Sequence, residues 1–262
     1  ADIGTQTVAY TSNTEVGLKN LSECGSSIQT SERKERLLYR AMDRSRRATD
    51  PQNYNDDGTV KKGRKTWKYS NHYKKLKAKH SELCRINAIN RQLAINEDAN
   101  HLRSLGDVFI TEPKNASKLM KRTKDTTVNS KGKFHKKKRF GKSIKNRCPS
   151  GFQTTVERKF KVSGGIYIEV PNNYRVSQYD HTADDYIKKK LSDRMYKLTD
   201  GTLVQRDWYS SFLLYCYDYR TKDIDKNKCI SEFDKCYNKE KALIEWIKAH
   251  KIKVLNSGIK IA

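Results

Sequence analysis

The sequence has six cysteines and no Cys-x-x-Cys pair. The cysteines are scattered along the chain, at Cys24, Cys84, Cys148, Cys216, Cys229 and Cys236. Because zinc sites with four cysteines are normally built from closely spaced pairs, this spacing argues against such a site. Unpaired thiols are typical of a reducing compartment, so we expect a cytoplasmic protein.

The sequence also lacks a signal peptide and any apolar run of about 18 residues, so neither secretion nor membrane spanning is expected. The chain begins at Ala1 rather than at methionine, and Asp2 belongs at once to strand-like sequence. We therefore expect the C-terminal part of a longer protein, or a trimmed product.

Acidic residues are few relative to basic ones: 30 Asp and Glu against 55 Lys and Arg give a net charge of +25. This charge opposes compaction unless a polyanion neutralises it, so nucleic acid is the expected partner. A ribosomal-type or merely soluble basic protein is the alternative. Hydrophobic residues make up 35% of the chain, which predicts a modest core in one large domain or two small ones.

Apolar periodicity and turn signals predict an alternation of strands and helices. Strands are predicted over residues 3–10, 16–21, 107–111, 166–170 and 252–255. Helices are predicted over residues 30–47, 70–104, 150–161, 203–217 and 228–250, and the polar segment 172–202 is predicted to be irregular. This is the element order of an α/β protein, and the first two helices are expected to form an antiparallel basic hairpin.

Two basic segments are candidate nucleic-acid contacts. The first joins the two helices of the hairpin, close to Trp67, Tyr69 and Tyr73, and contains Lys61, Lys62, Arg64 and Lys65. The second is the segment 113–147, with eleven lysines and three arginines against one aspartate; it includes Lys136, Lys137, Lys138, Arg139 and Lys142. It has too few apolar residues to fold alone and is expected to order on a phosphate backbone. For both segments the alternative is a solvated charged surface.

Three carboxylates stand at the edges of apolar runs: Asp2 before Ile3, Glu112 after Val108–Thr111, and Asp207 before Trp208. Within a basic chain, such acids are the usual ligands of divalent metal that cuts the bound nucleic acid. Each has a simpler alternative, since Asp2 could be a strand-edge residue, Glu112 could merely end a strand, and Asp207 could favour a helix dipole. Acids on a first strand, a middle strand and a late helix nevertheless suit a ribonuclease-H-like core.

The chain resembles the RuvC-like nuclease half of OrfB/TnpB transposases, the transposon-encoded RNA-guided nucleases related to type V CRISPR effectors. Five segments in order carry this resemblance: Asp2-Ile3-Gly4, the linker 53–63, Phe109-Ile110-Thr111-Glu112-Pro113, Val176-Ser177-Gln178-Tyr179 and 205–211, which begins Gln-Arg-Asp-Trp. The resemblance implies an α/β fold with a ribonuclease-H-like (RuvC-type) mixed sheet. Residues 1–175 and 203–262 would form the nuclease domain, with the helical hairpin inserted at 30–105 and a basic loop at 113–147.

The chain departs from the family in two places. Residues 176–202 stand where the family has a zinc ribbon, but residues 179–196 contain no cysteine; one histidine, His181, with Asp180, Asp184 and Asp185 is poor zinc chemistry compared with thiolates. We expect a degenerate ribbon-like insertion without zinc that keeps its shape by packing. The N-terminal recognition half expected in this family is also missing from the sequence.

The resemblance implies an RNA-guided DNA endonuclease acting in transposition and recombination in a prokaryotic cytoplasm or nucleoid. Its partners would be target DNA and a guide RNA from the transposon end, and its cofactor two Mg²⁺ ions, or Mn²⁺. Asp2 would bridge the ions, Glu112 would bind one, Asp207 would complete the site, and Arg206 would contact phosphate or orient Asp207. A nuclease-inactive or truncated derivative acting as a guided repressor, and a dimeric junction resolvase, are the alternatives.

Overall fold

The computed structural model describes residues 1–22, 26–113, 116–120, 127–130, 132, 141–171, 174–190 and 192–261. It is a mixed α/β protein with small sheets, as the α/β pattern of the sequence predicts. Its contacts divide the chain into a larger unit, Ala1–Glu23 with Ile95–Ala262, and a smaller unit, Cys24–Ala94. The nuclease and ribbon boundaries given above remain predictions.

The larger unit begins with three antiparallel strands in the order β1 (Asp2–Ile3), β2 (Thr7–Thr11), β3 (Val16–Asn20). The prediction of one strand over 3–10 is wrong, because the Gly4 amide donates to the Thr7 carbonyl (2.8 Å) and folds the chain back, pairing Asp2 with Ala9. The β2–β3 hairpin is confirmed. Gly17 lies opposite Tyr10, and a side chain at Gly17 would overlap the Tyr10 ring.

Two parallel strands, β4 (Val108–Thr111) and β5 (Ile166–Glu169), form a second sheet in the larger unit. Between them in sequence, the described residues form the helices α3 (Ala116–Met120), α4 (Gly141–Arg147) and α5 (Pro149–Val162). Phe152, Val156 and Phe160 recur every four residues on α5 and are completely buried, so the predicted helix over 150–161 is confirmed. The Ala1 amino group donates to the Ile110 carbonyl (2.7 Å), which joins the start of β1 to β4.

Helix α6 (Arg206–Tyr215) lies at the centre of the largest apolar cluster, and it packs against strands β1 to β4. Trp208, Tyr209 and Phe212 are fully buried. The predicted helix over 203–217 is wrong at its start: residues Leu203–Gln205 form strand β9, which pairs with β8 (Met195–Lys197). The helix begins at Arg206 because the Gln205 side chain accepts the Trp208 amide (2.7 Å) and caps the first turn.

The segment between β5 and β9 was predicted to be irregular and instead contains short antiparallel pairs. Strand β6 (Tyr179–Asp180) pairs with β7 (Asp185–Tyr186), and β8 follows. The Asp180 carboxylate is buried and accepts hydrogen bonds from the amide and hydroxyl groups of both Thr182 and Thr199. Burial alone raises the pKa of Asp180, but these hydrogen bonds outweigh it and hold the pKa below its usual value.

The C-terminal part contains the pair β10 (Tyr217–Asp218) and β11 (Asp223–Ile224), followed by α7 (Lys226–Ala249). Helix α7 confirms the helix predicted over 228–250. The predicted last strand over 252–255 is wrong, because the Asn20 side chain bonds this segment in place of a strand partner. It donates to the Lys253 carbonyl (2.9 Å) and accepts from the Leu255 amide (2.8 Å).

The smaller unit contains α1 (Ser26–Thr49) and most of α2 (Asn71–Ser104), which agree with the helices predicted over 30–47 and 70–104. The helices run antiparallel, since Ser31 bonds Asn87 near one end and Ser45 bonds Ser70 near the other. The connecting loop is held by the buried Asp50, whose carboxylate accepts the Lys68 amide (2.9 Å).

No helix in the described ranges is both long enough and apolar enough to cross a bilayer. The cysteines that the structure describes, all but Cys24, are unpaired thiols.

We predict that Asp180→Ala lowers the free energy of unfolding by about 3 kcal/mol, because it removes a buried acceptor of four hydrogen bonds. The matched control is Asp185→Ala, which removes an exposed carboxylate and should change the free energy of unfolding by less than about 0.5 kcal/mol.

The stabilisation by Asp180 should also depend on pH. Since the pKa of Asp180 is lowered on folding, the carboxylate stabilises the folded state at neutral pH, and this contribution is lost on acidification below its unfolded pKa of about 4. Urea denaturation at neutral and acidic pH measures both effects; equal losses in the two variants would contradict the assignment.

Candidate active site

The three acids that the sequence singles out lie on elements that meet at α6. Asp2 is in β1, Glu112 follows β4 directly, and Asp207 is in the first turn of α6. Helix α6 packs against both β1 and β4. The fold therefore brings together chain segments that are about a hundred residues apart in sequence.

Asp2 lies close enough to Asp207 to affect the ionisation of Asp207. Burial raises the pKa of Asp207, and the negative charge of Asp2 raises it further. The Arg206 guanidinium opposes both effects: its Nε lies 3.1 Å and its Nη2 2.9 Å from Oδ1 of Asp207. Both side chains are largely buried, at 19% and 14% exposure, so little solvent screens the pair.

Glu112 is linked to the same region through the first residue of the chain. Asp2 and Glu112 both lie within electrostatic range of the buried Ala1 nitrogen. Ala1 is anchored on β4 through the Ile110 carbonyl. Asp2 thus interacts electrostatically with Asp207, and Asp2 and Glu112 both act on Ala1.

The three carboxylates do not form a closed cage. Over the residues that the structure describes, only Glu35, His80 and Cys84 offer metal-ligand atoms that all lie within 4.8 Å of one another. The arrangement of Asp2, Glu112 and Asp207 is therefore more open than a site for a single ion. Their donor chemistry fits magnesium, because all three offer carboxylate oxygen and none offers nitrogen or sulfur.

A buried polar network supports the first turn of α6. The Glu240 carboxylate accepts the Gln205 amide (3.3 Å), while the Gln205 side chain caps α6 and donates to the Ser257 carbonyl (3.3 Å). Burial raises the pKa of Glu240 to about 7. The capping role of Gln205 and the role of Glu240 are not among the predictions from the sequence. A glutamine directly before Arg206 is a recognisable capping signal, whereas nothing in the pattern of α7 marks Glu240.

The predicted nucleic-acid contacts are only partly described. Lys61, Lys62 and Arg64 are exposed in the α1–α2 loop, and Lys65 is half-buried with its amine donating to the Gly63 carbonyl (2.7 Å). Lys136, Lys137, Lys138, Arg139 and the side chain of Lys142 lie outside the described residues. Arg206 is described and pairs with Asp207.

The aromatic residues near the loop are largely engaged within the smaller unit. Trp67 packs edge-on against Tyr54, with ring centroids 5.8 Å apart, and lies under the Arg46 guanidinium. Tyr69 stacks on Tyr73 at 4.6 Å. Tyr69 remains 44% exposed, so it is the member of this set most accessible to a base.

In the segment 176–202, polar residues that the structure describes take part in packing and hydrogen bonds. Asp184 accepts from the Tyr179 hydroxyl (2.9 Å) and the Lys226 amine (2.7 Å). The His181 ring packs against Phe233, with centroids 4.3 Å apart, and its Nδ1 lies 2.8 Å from the Tyr209 hydroxyl. The absence of zinc from this segment remains a prediction.

No protein-family model matches the chain, and a search of characterised proteins finds no significant match.

We predict that Asp2→Asn lowers the pKa of Asp207, because it removes a neighbouring negative charge. Asp218→Asn is the control, since Asp218 is not among the groups that shift Asp207. Carbon-detected NMR titration of the aspartate carboxyl groups measures the shift. An Asp207 titration that is unchanged by Asp2→Asn would show that the two carboxylates do not interact.

We predict that Glu240→Gln stabilises the protein at pH 8 but not at pH 4.5. A carboxyl whose pKa is raised to about 7 on folding favours the folded state at low pH and loses that contribution as pH rises toward 7. The gain from the neutral amide should therefore grow between these pH values, by up to about 3 kcal/mol. Chemical denaturation across this range, with the exposed Glu245→Gln on the same helix as control, measures it; a pH-independent difference would contradict the assignment.

Proposed function

We propose that this chain is a metal-dependent DNA endonuclease of the transposase type, guided by RNA, in which Asp2, Glu112 and Asp207 hold the metal. The observation that carries the proposal is the interaction of the buried Asp207 carboxylate with Asp2, at the place where α6 packs against β1 and β4. Two like-charged carboxylates kept together in a basic protein indicate a bound cation.

The strand arrangement supports a ribonuclease-H-like (RuvC-type) fold for the larger unit. The antiparallel order is β3-β2-β1, and the parallel pair is β4-β5. The two sheets are separate, but the hydrogen bond from the Ala1 nitrogen to the Ile110 carbonyl holds the residue before β1 against β4. This contact supports a site that uses acids from both strands.

The three carboxylates provide the hard oxygen ligands that magnesium prefers. When bound, two magnesium ions would activate the attacking water and stabilise the leaving oxygen of the phosphodiester. Asp207 binds a cation in its ionised form, and burial together with Asp2 disfavours that form. Arg206 favours the ionised carboxylate and is also placed to contact a phosphate entering beside it.

The charge of the chain supports a polyanionic substrate and guide. The net charge is +25, and the exposed Lys61, Lys62 and Arg64 form a basic surface on the loop of the smaller unit. The sequence carries further positive charge in the tract Lys136–Arg139. We propose target DNA and guide RNA as the partners that these cations bind.

A guided DNA-binding repressor without cleavage is the second candidate. The open spacing of the three carboxylates favours the repressor. Their oxygen atoms do not all lie within 4.8 Å of one another, whereas the ligand atoms of Glu35, His80 and Cys84 do. The two functions share the basic surface and differ only in whether the acids hold catalytic metal.

The test is cleavage of matched DNA by the full reading-frame product co-expressed with RNA from its own locus, with Mg²⁺ or with EDTA. We expect cleavage only with Mg²⁺, and a loss on the order of a hundredfold or more in Asp2→Asn, Glu112→Gln and Asp207→Asn. Asp234→Asn, an exposed acid on α7, should keep the parent rate.

Filter binding of the same samples separates the two candidate functions. RNA-dependent DNA binding that survives Asp207→Asn while cleavage is lost supports the nuclease. Binding by the parent protein without cleavage in Mg²⁺ or Mn²⁺ would contradict the nuclease and favour the repressor.

A further inference from the structure

The helical hairpin of the smaller unit contains a second cluster whose chemistry differs from that of the three acids. Glu35 on α1 and His80 and Cys84 on α2 contribute a carboxylate, an imidazole and a thiol. His80 and Cys84 are four residues apart on one helix, so they share a face. Glu35 approaches that face from the antiparallel helix.

The distances within this cluster match those of a tetrahedral metal site. The Cys84 sulfur lies 3.6 Å from Nε2 of His80, and the same nitrogen lies 3.7 Å from Oε1 of Glu35. Tetrahedral zinc with ordinary bond lengths separates a bound sulfur from a bound nitrogen by about 3.6 Å, and a bound nitrogen from a bound oxygen by about 3.4 Å. An ion could therefore enter between the three ligands with shifts of a few tenths of an ångström.

We propose that Glu35, His80 and Cys84 bind a zinc-type dication, with the fourth position open to water. Thiolate and imidazole select Zn²⁺ over Mg²⁺, which prefers an all-oxygen shell. The site is thus distinct in chemistry from Asp2, Glu112 and Asp207. It also differs from the cysteine-free ribbon segment, where zinc is not expected.

The surroundings hold the ligands in place. The Glu35 and His80 side chains are largely buried, at 19% and 16% exposure. The Tyr39 ring packs on the His80 ring, with centroids 4.5 Å apart. One turn further along the hairpin, Asn87 donates to the Ser31 hydroxyl (2.8 Å), which fixes the alignment of the two helices.

A bound cation would tie α1 to α2 at this level of the hairpin. Without a cation the contacts among the three ligands are a Glu35–His80 pair, which is ionic when the histidine is protonated, and a weak contact between His80 and the Cys84 thiol. The chain between Glu35 and His80 includes the exposed Lys61, Lys62 and Arg64. The site therefore acts as a structural clamp for the segment that carries this basic loop.

The test is cobalt titration of the full chain after metal removal, followed by optical absorption. We expect one Co²⁺ per chain with thiolate-to-cobalt charge transfer, displaced by Zn²⁺ and not by excess Mg²⁺. Cys84→Ser should abolish the charge transfer, and Glu35→Gln should weaken binding more than about tenfold while keeping the band. The controls, Cys148→Ser on another partly buried cysteine and His72→Asn on an exposed α2 histidine, should bind as the parent does.

Thermal unfolding and far-ultraviolet circular dichroism complete the experiment. Zinc should raise the unfolding temperature of the parent and of both controls, and leave Cys84→Ser unchanged although that variant keeps its helix content. Absence of thiolate-to-cobalt absorption in the parent would overturn the proposal. So would a band that persists in Cys84→Ser.

Discussion

The burial of α6 on nearly all of its faces is the constraint on which the larger unit depends. Trp208, Tyr209, Phe212, Leu213 and Leu214 are inaccessible to solvent, so strands and α7 must surround the helix on several sides. In a helix buried in this way, the first turn is where charged side chains can lie outside the apolar core. Arg206 and Asp207 stand there, and the capping glutamine and Glu240 fix where that turn begins. The position of the candidate site follows from core packing.

The candidate site is acidic, whereas the chain as a whole is basic. Most of the surface is basic, yet Asp207 experiences the charge of Asp2 within a largely buried environment. Arg206 offsets only part of this repulsion. A group of acids that is maintained against desolvation and like charge supports the proposed cation site, because a bound cation would offset both costs.

Long periodic elements could be predicted from the sequence, and short ones could not. For α2, the stripe of apolar residues predicted helix bounds within one residue of those observed. For α5 and α7, the predicted bounds lie within one or two residues of those observed. The turn at Gly4 that splits the first strand depends on one backbone hydrogen bond, and the segment after Ile252 is held by the side chain of Asn20, far away in sequence. Such contacts leave no local pattern.

In the candidate sites, too, features with a local sequence pattern could be predicted, and features that depend on contacts distant in sequence could not. The motif order pointed to Asp2, Glu112 and Asp207, and the structure shows that their elements meet, but the openness of the group could not be predicted. His80 and Cys84 carry a visible spacing of four on a predicted helix, whereas Glu35 joins them only through the antiparallel pairing of α1 and α2. Glu240 acts through a buried amide contact that no periodicity reveals.

Anomalous diffraction from crystals grown with Mn²⁺ and a short single-stranded DNA tests the central claim most directly, because manganese takes the same oxygen ligands as magnesium. The account predicts manganese peaks bound by Asp2, Glu112 and Asp207, with a DNA phosphate beside them, and no such peaks in Asp207→Asn crystals. Crystals with ordered DNA but no manganese at these carboxylates would contradict the assignment of a metal-dependent nuclease site.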